Sequence, residues 1–159
     1  MSTDTRQTAT VPTGASVPFA VAGLLYLALI GYITLGPVPW QMVTNEGSGG
    51  VLSLATWLDP VTWTTGGPLE FVANILLFVP VGMLLRRAFP RLPAVGAVAV
   101  GMVLTLSIEV LQIPLDRVSD PRDLVANTAG AVLGTVLTLG RRGAPARSDA
   151  PAAVAPRRS

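Results

Sequence analysis

No cysteine and no histidine occurs in the 159 residues, and all eleven basic residues are arginine. Without cysteine there is neither a disulfide framework nor a thiolate-ligated metal. Without histidine the commonest general base, the commonest metal ligand and the simplest pH switch are gone. Any chemistry therefore falls to Asp, Glu, Arg, Ser, Thr, Asn or Gln, and neither a metal nor a cofactor is expected. Charge is scarce too: 13% of residues are charged against 50% apolar, and mean hydropathy is +0.58. Such a chain is built for a lipid bilayer, and its length suits a single domain. The basic residues are not interleaved with aromatics, so no nucleic-acid partner is expected.

What is present is a set of long apolar runs. Residues 1–16 are polar and Thr-rich and read as a disordered tail. Residues 17–35 form an apolar run of 19 residues, close to the roughly 20 that cross a bilayer, stopped by Gly36 and Pro37. Further spanning helices are expected over residues 68–85, with a kink at Pro80, over 92–112 and over 123–140. Residues 143–159, rich in Ala, Pro and Arg, read as a second tail. The expected fold is all-α: a four-helix transmembrane bundle over residues 17–142. The connection over residues 37–67 carries every tryptophan, Trp40, Trp57 and Trp63, and Trp prefers the membrane–water interface. Within it, residues 51–58 are apolar but too short to span. They read as an interfacial or re-entrant helix ended by Asp59-Pro60.

Arginine placement sets the expected orientation. Arg6, Arg86, Arg87, Arg91, Arg141, Arg142, Arg147, Arg157 and Arg158 fall on one side of this topology, and Arg117 and Arg122 on the other. By the positive-inside rule both termini are cytoplasmic and the chain is a multi-pass protein of the plasma membrane.

Polar residues then collect at the outer ends of three helices. Glu70 and Asn74 share one face at i,i+4. Thr105, Glu109 and Gln112 share a face near the end of the next helix, and Asp120, Asp123 and Asn127 share one at the start of the last. Glu109 lies within a run that is otherwise oily from Leu92 onward, and a carboxylate there needs a reason. Arg117 runs against the charge bias, which points to pairing with Glu109 or Asp123. Read singly, Glu70, Asp120 and Asp123 are helix caps or dipole complements, and Asn74, Gln112 and Asn127 are hydrogen bonds between helices. Ala126, Gly130 and Gly134 form a small-residue seam for close packing.

Three segments together resemble the VanZ-like family of small bacterial membrane proteins. They are Asn74-x-Leu76-x-Phe78-x-Pro80-x-Gly82, then Ser107-x-Glu109-x-x-Gln112 with Arg117, then Asp123-x-x-x-Asn127-x-x-Gly130-x-x-x-Gly134. The resemblance covers about half the chain, and the loop between Gln112 and Asp123 is shorter than the family's. It implies a polytopic membrane protein whose founding member is linked to resistance against the glycopeptide teicoplanin, with no settled mechanism. On this reading Glu70, Asn74, Glu109, Gln112, Arg117, Asp120, Asp123 and Asn127 bind a ligand of the cell envelope. That ligand would be a lipid-linked wall precursor or an amphiphilic glycopeptide. Two other readings stay open. A membrane enzyme would act on a lipid-linked phosphorylated substrate, with Glu109 and Asp123 as an acid/base pair or as Mg²⁺ ligands. A transporter or flippase subunit would use Glu109 as an ion site and would work as a homo-oligomer.

Overall fold

The structure, a computed structural model, describes residues 16–36, 50–115, 117 and 119–139. The expected tails, Trp40, most of the Gly47–Gly50 stretch, Asp116 and the Arg141-Arg142 pair lie outside the described residues. Every regular element among the described residues is helical. In chain order they are α1 (Val17–Leu35), a 3₁₀ turn (Gly50–Leu52), α2 (Leu54–Leu58), α3 (Pro60–Thr64), α4 (Pro68–Ala88), α5 (Ala94–Gln112), a second 3₁₀ turn (Ile113–Leu115) and α6 (Pro121–Leu139).

The helix starts follow from proline and its neighbours. Pro60, Pro68 and Pro121 each open a helix at a position whose N–H would have no intrahelical partner. The expected short helix does end at Asp59-Pro60, for α2 stops at Leu58 with Asp59 as its C-cap. The Asp59 side chain accepts from the Val61 N–H at 2.9 Å, so the pair begins a second short helix, α3. The last long helix begins at Pro121, two residues before the expected start, for the same reason. α4 carries its helix past Leu85 to Ala88, so Arg86 and Arg87 lie in its last turn, where cations complement the helix dipole. α4 also continues through Pro80. Proline lacks the N–H that would meet the Leu76 carbonyl, and on the next residue the Leu77 carbonyl accepts the Tyr26 hydroxyl of α1 at 2.8 Å.

Three stretches are long and apolar enough to cross a membrane: Val17–Leu35, Pro68–Ala88 and Ala94–Leu115. α6 has the same length as α1 but is less apolar, because it carries Arg122, Asp123, Asn127, Thr128, Thr135 and Thr138. The four long helices pack as an up-and-down bundle. α1 runs against α4: the Ser16 N–H reaches the Ala88 carbonyl at 2.8 Å, and the Arg87 guanidinium lies 5.4 Å from the Phe19 ring. α4 and α6 run parallel and make the most extensive contact, with α5 antiparallel beside them.

Ile30, Phe78, Val81 and Ile108 form a small buried apolar core. The large apolar side chains instead point outward: Leu24, Leu25 and Tyr32 of α1, Leu76 of α4, Val103 of α5 and Val136 of α6 are all exposed. A helix apolar on its outer face belongs in lipid, where packing relies on close backbone approach. The α4–α6 seam supplies that approach. A Cβ on Gly134 would lie 1.9 Å from the Val79 carbonyl oxygen, and one on Gly130 would lie 2.2 Å from that of Ile75. From the other side, a Cβ on Gly82 would lie 2.2 Å from the Ala131 carbonyl oxygen. The expected seam of Ala126, Gly130 and Gly134 is thus present, and its partner on α4 includes Gly82.

Candidate functional site

The C-terminal ends of α1 and α5 and the N-terminal ends of α4 and α6 meet at one end of the bundle, here the polar end. The opposite end carries Arg86, Arg87 and Arg91. Glu109 is the most enclosed acid of the polar end, at 1% exposure. Its carboxylate accepts the Asp120 N–H at 2.9 Å. Ser119, the residue before that N–H, is buried. Ser119 Oγ in turn accepts the Val51 N–H at 3.2 Å. Hydrogen bonds at two adjacent residues therefore join the linker before α6 to α5 and to the first 3₁₀ turn. Buried polar groups need such partners, and these explain how Glu109 is held in a mostly apolar helix.

Asp123 accepts from Asn74 Nδ2 at 2.6 Å, which ties the first turn of α6 to the second turn of α4. One helical turn on, Asn127 Nδ2 donates to Thr105 Oγ1 at 2.9 Å, tying α6 to α5. Gln112 Nε2 donates to the Thr34 carbonyl at 3.1 Å, tying α5 to α1. The amides thus act as bridges between helices, as their positions predict. Asp120 caps α6: its Oδ1 accepts the Arg122 N–H at 2.8 Å, and its carbonyl accepts the Asp123 N–H at 3.0 Å. Burial pushes the Asp120 carboxyl above the usual carboxylate range, with Arg122 pulling the other way. Glu70 sits in the first turn of α4 and is exposed, as a dipole complement would be.

The expected pairing of Arg117 is corrected. Its guanidinium donates to the Gly36 carbonyl beyond the end of α1, and no ion pair joins it to Glu109 or Asp123 among the described residues. A helix end leaves carbonyls without intrahelical partners, and an arginine on an adjacent loop satisfies them. Arg122 behaves alike. It donates to the Thr65 carbonyl and lies 5.9 Å from the Phe71 ring.

The sequence singled out neither Ser119 nor Gly66 as a contact, yet both fasten the segment from Gly50 to Gly67. Gly66 takes φ +89°, a region where side chains are rarely accommodated, and a Cβ there would lie 1.8 Å from the Arg122 guanidinium. The only available signal was the pair of glycines bracketing an apolar stretch. Within that segment the Trp57 indole donates to the Val51 carbonyl at 2.8 Å, and the Trp63 indole to the Trp57 carbonyl at 2.9 Å.

The capping geometry carries a simple prediction. Asp120→Ala removes the oxygen that holds the Arg122 N–H and is expected to cost about 1 kcal/mol, whereas Asp120→Asn keeps a capping oxygen and should cost less. Thermal unfolding of the two variants in detergent micelles measures the difference.

A family model described as VanZ/LLP1 matches residues 23–141. Among curated proteins, Protein VanZ of Enterococcus faecium is 35% identical over 81 residues, which is 50% of this chain and 50% of that one. The chain thus aligns with about half the length of this relative. No solved structure matches.

Proposed function

Because the chain belongs to the VanZ/LLP1 family, we propose that it is a multi-pass protein of the bacterial plasma membrane whose polar end faces outward and binds a ligand of the cell envelope. Four helices, α1, α4, α5 and α6, cross the bilayer in this reading, and both termini are cytoplasmic. α6 crosses although it is the least apolar, because its polar side chains turn to α4 and α5. The arginines of the opposite end favour that end inside. The ligand is a lipid-linked wall precursor or an amphiphilic glycopeptide, and the effect of binding is a change in susceptibility to teicoplanin-type drugs.

One observation supports this most: polar side chains from three helices converge at a single end of an otherwise apolar bundle, around Glu109, Asp123 and Asn127. Lipid-exposed helices do not collect such residues without use. Among the described residues no three acidic groups converge closely enough to hold a metal ion.

The test pairs expression level with teicoplanin susceptibility in a host lacking its own copy. Glu109→Gln and Asp123→Asn are expected to insert at wild-type abundance and to lose the protection that wild type gives. Unchanged protection from abundant variants would make the cluster architectural and end this reading.

A further inference from the structure

The polar end is short of acceptors' partners, not of acceptors. Each side-chain amide nitrogen there already meets a protein oxygen: Asn74 on Asp123, Asn127 on Thr105 and Gln112 on Thr34. Both arginines are engaged as well, Arg117 by the Gly36 carbonyl and Arg122 by the Thr65 carbonyl. The oxygens are in surplus. Asn127 Oδ1 and Gln112 Oε1 have no hydrogen-bond partner, although the two residues are only 4% and 8% exposed. A buried acceptor left alone is costly, so native structures rarely keep one without a use.

The position of Asn127 connects this surplus to the acids. It lies one turn from Asp123 on the same face of α6. Its amide is held by Thr105, one turn from Glu109 on α5. Asn127, with its unpartnered oxygen, is therefore a buried residue beside the same cluster. From there the acids lead outward in order of exposure: enclosed Glu109, half-buried Asp123 and Asp120, exposed Glu70. Four carboxyl groups face two guanidiniums that are both turned to backbone carbonyls. An anion would meet acids and committed donors. A group that donates several hydrogen bonds and carries positive charge would meet carboxyl groups and the unpartnered oxygens of Asn127 and Gln112.

Resting on the envelope-ligand reading above, we infer that the polar end binds the primary-ammonium end of an amphiphile, with Asp123 and Asn127 as its acceptors, and does not bind phosphate. An ammonium has three donors and no acceptor, which matches what the cluster lacks. Its charge-assisted bonds to carboxylates are the stronger kind. The apolar remainder of the ligand lies along the outward-facing side chains of the bundle.

The experiment uses the full chain in nanodiscs of neutral phosphocholine lipid, with a diazirine-bearing dodecylamine as photolabel. Dodecylamine, dodecyl phosphate and dodecanol serve as competitors. Saturable labelling is expected on peptides from the starts of α4 and α6. Dodecylamine should suppress it, and the other two should need about tenfold higher concentration or more, the factor for one charge-assisted hydrogen bond. Asp123→Asn keeps the shape and the Asn74 contact and should lower apparent affinity by a similar factor of about ten. Non-saturable labelling, labelling spread along the lipid-facing helices, equal competition by dodecyl phosphate, or no effect of Asp123→Asn would each overturn the inference. Any of these, with protection still lost in the Glu109 and Asp123 variants, would remove the amine assignment and leave the envelope role. Saturable amine labelling without any loss of protection would do the reverse.

Discussion

Gly134→Ala is expected to destabilise the bundle by about 3 kcal/mol, the upper part of the range for overpacking a tight contact. The new Cβ would lie 1.9 Å from the Val79 carbonyl oxygen and 2.9 Å from its carbon. Those are backbone atoms of a continuous helix, so no side chain can rotate away. α4 and α6 would have to separate, and their separation would pull on the Asn74–Asp123 and Asn127–Thr105 bridges. Gly31→Ala is the matched control: nothing lies within 4 Å of the position its Cβ would take. In the helix interior alanine is at least as favourable as glycine, so that variant should be as stable as wild type or slightly more so. Thermal unfolding of both in the same detergent decides the matter. Equal stability of the two variants would mean that α4 and α6 do not pack through this seam.

The second large effect is expected at Glu109. Glu109→Leu is close in volume and suits an apolar helix, but it takes away the acceptor of the Asp120 N–H. Leaving such a donor buried and unpaired costs about 1–3 kcal/mol. The loss should also loosen the 3₁₀ turn at Val51, because the residue next to Ser119 would no longer be fixed. Glu109→Gln retains one oxygen for the Asp120 N–H and should be milder. Limited proteolysis within residues 50–67, run on both variants, gives the readout: faster cleavage in Glu109→Leu than in Glu109→Gln. Identical protection of the segment would show that Glu109 does not hold it. The pair also separates folding from function, since the proposed role requires Glu109→Gln to fold and yet fail to protect.

Much of the architecture was legible in one dimension. The apolar runs mark α1, α4 and α5 because a bilayer imposes a length on its helices. The last helix was expected from Asp123 and begins two residues earlier, at Pro121, and the spacing of Ala126, Gly130 and Gly134 announces a close seam. The same linear reading failed where the partner is a backbone atom brought in from another part of the chain. Arg117 was expected on a carboxylate because charge is visible in a sequence. The unsatisfied carbonyl at Gly36 is not, since every residue has one. The contact of Ser119 was unreadable for a similar reason: its partner is the N–H of Val51, 68 positions away. Asp59-Pro60 was read as a stop, and α2 does end there; that the same pair also starts α3 shows only in the bond from the Val61 N–H. For the candidate site, the helix faces were predictable and the hydrogen-bond directions were not. The surplus of free oxygens emerges only when each amide is assigned its neighbour.

The seam between α4 and α6 has a consequence for how the protein is made. α6 carries too many polar side chains to favour lipid by itself, whereas α4 and α5 do not. Synthesis delivers α4 and α5 first. They form a template with a glycine-lined groove, at Gly82 and beside Gly101, and with Asn74 and Thr105 positioned to receive Asp123 and Asn127. In the proposed four-span topology, membrane integration of α6 is then a docking event, completed on a protein surface and not by partition into oil. Expressed without α4 and α5, a segment carrying α6 should be extracted from membranes by alkaline carbonate, whereas the full chain should not.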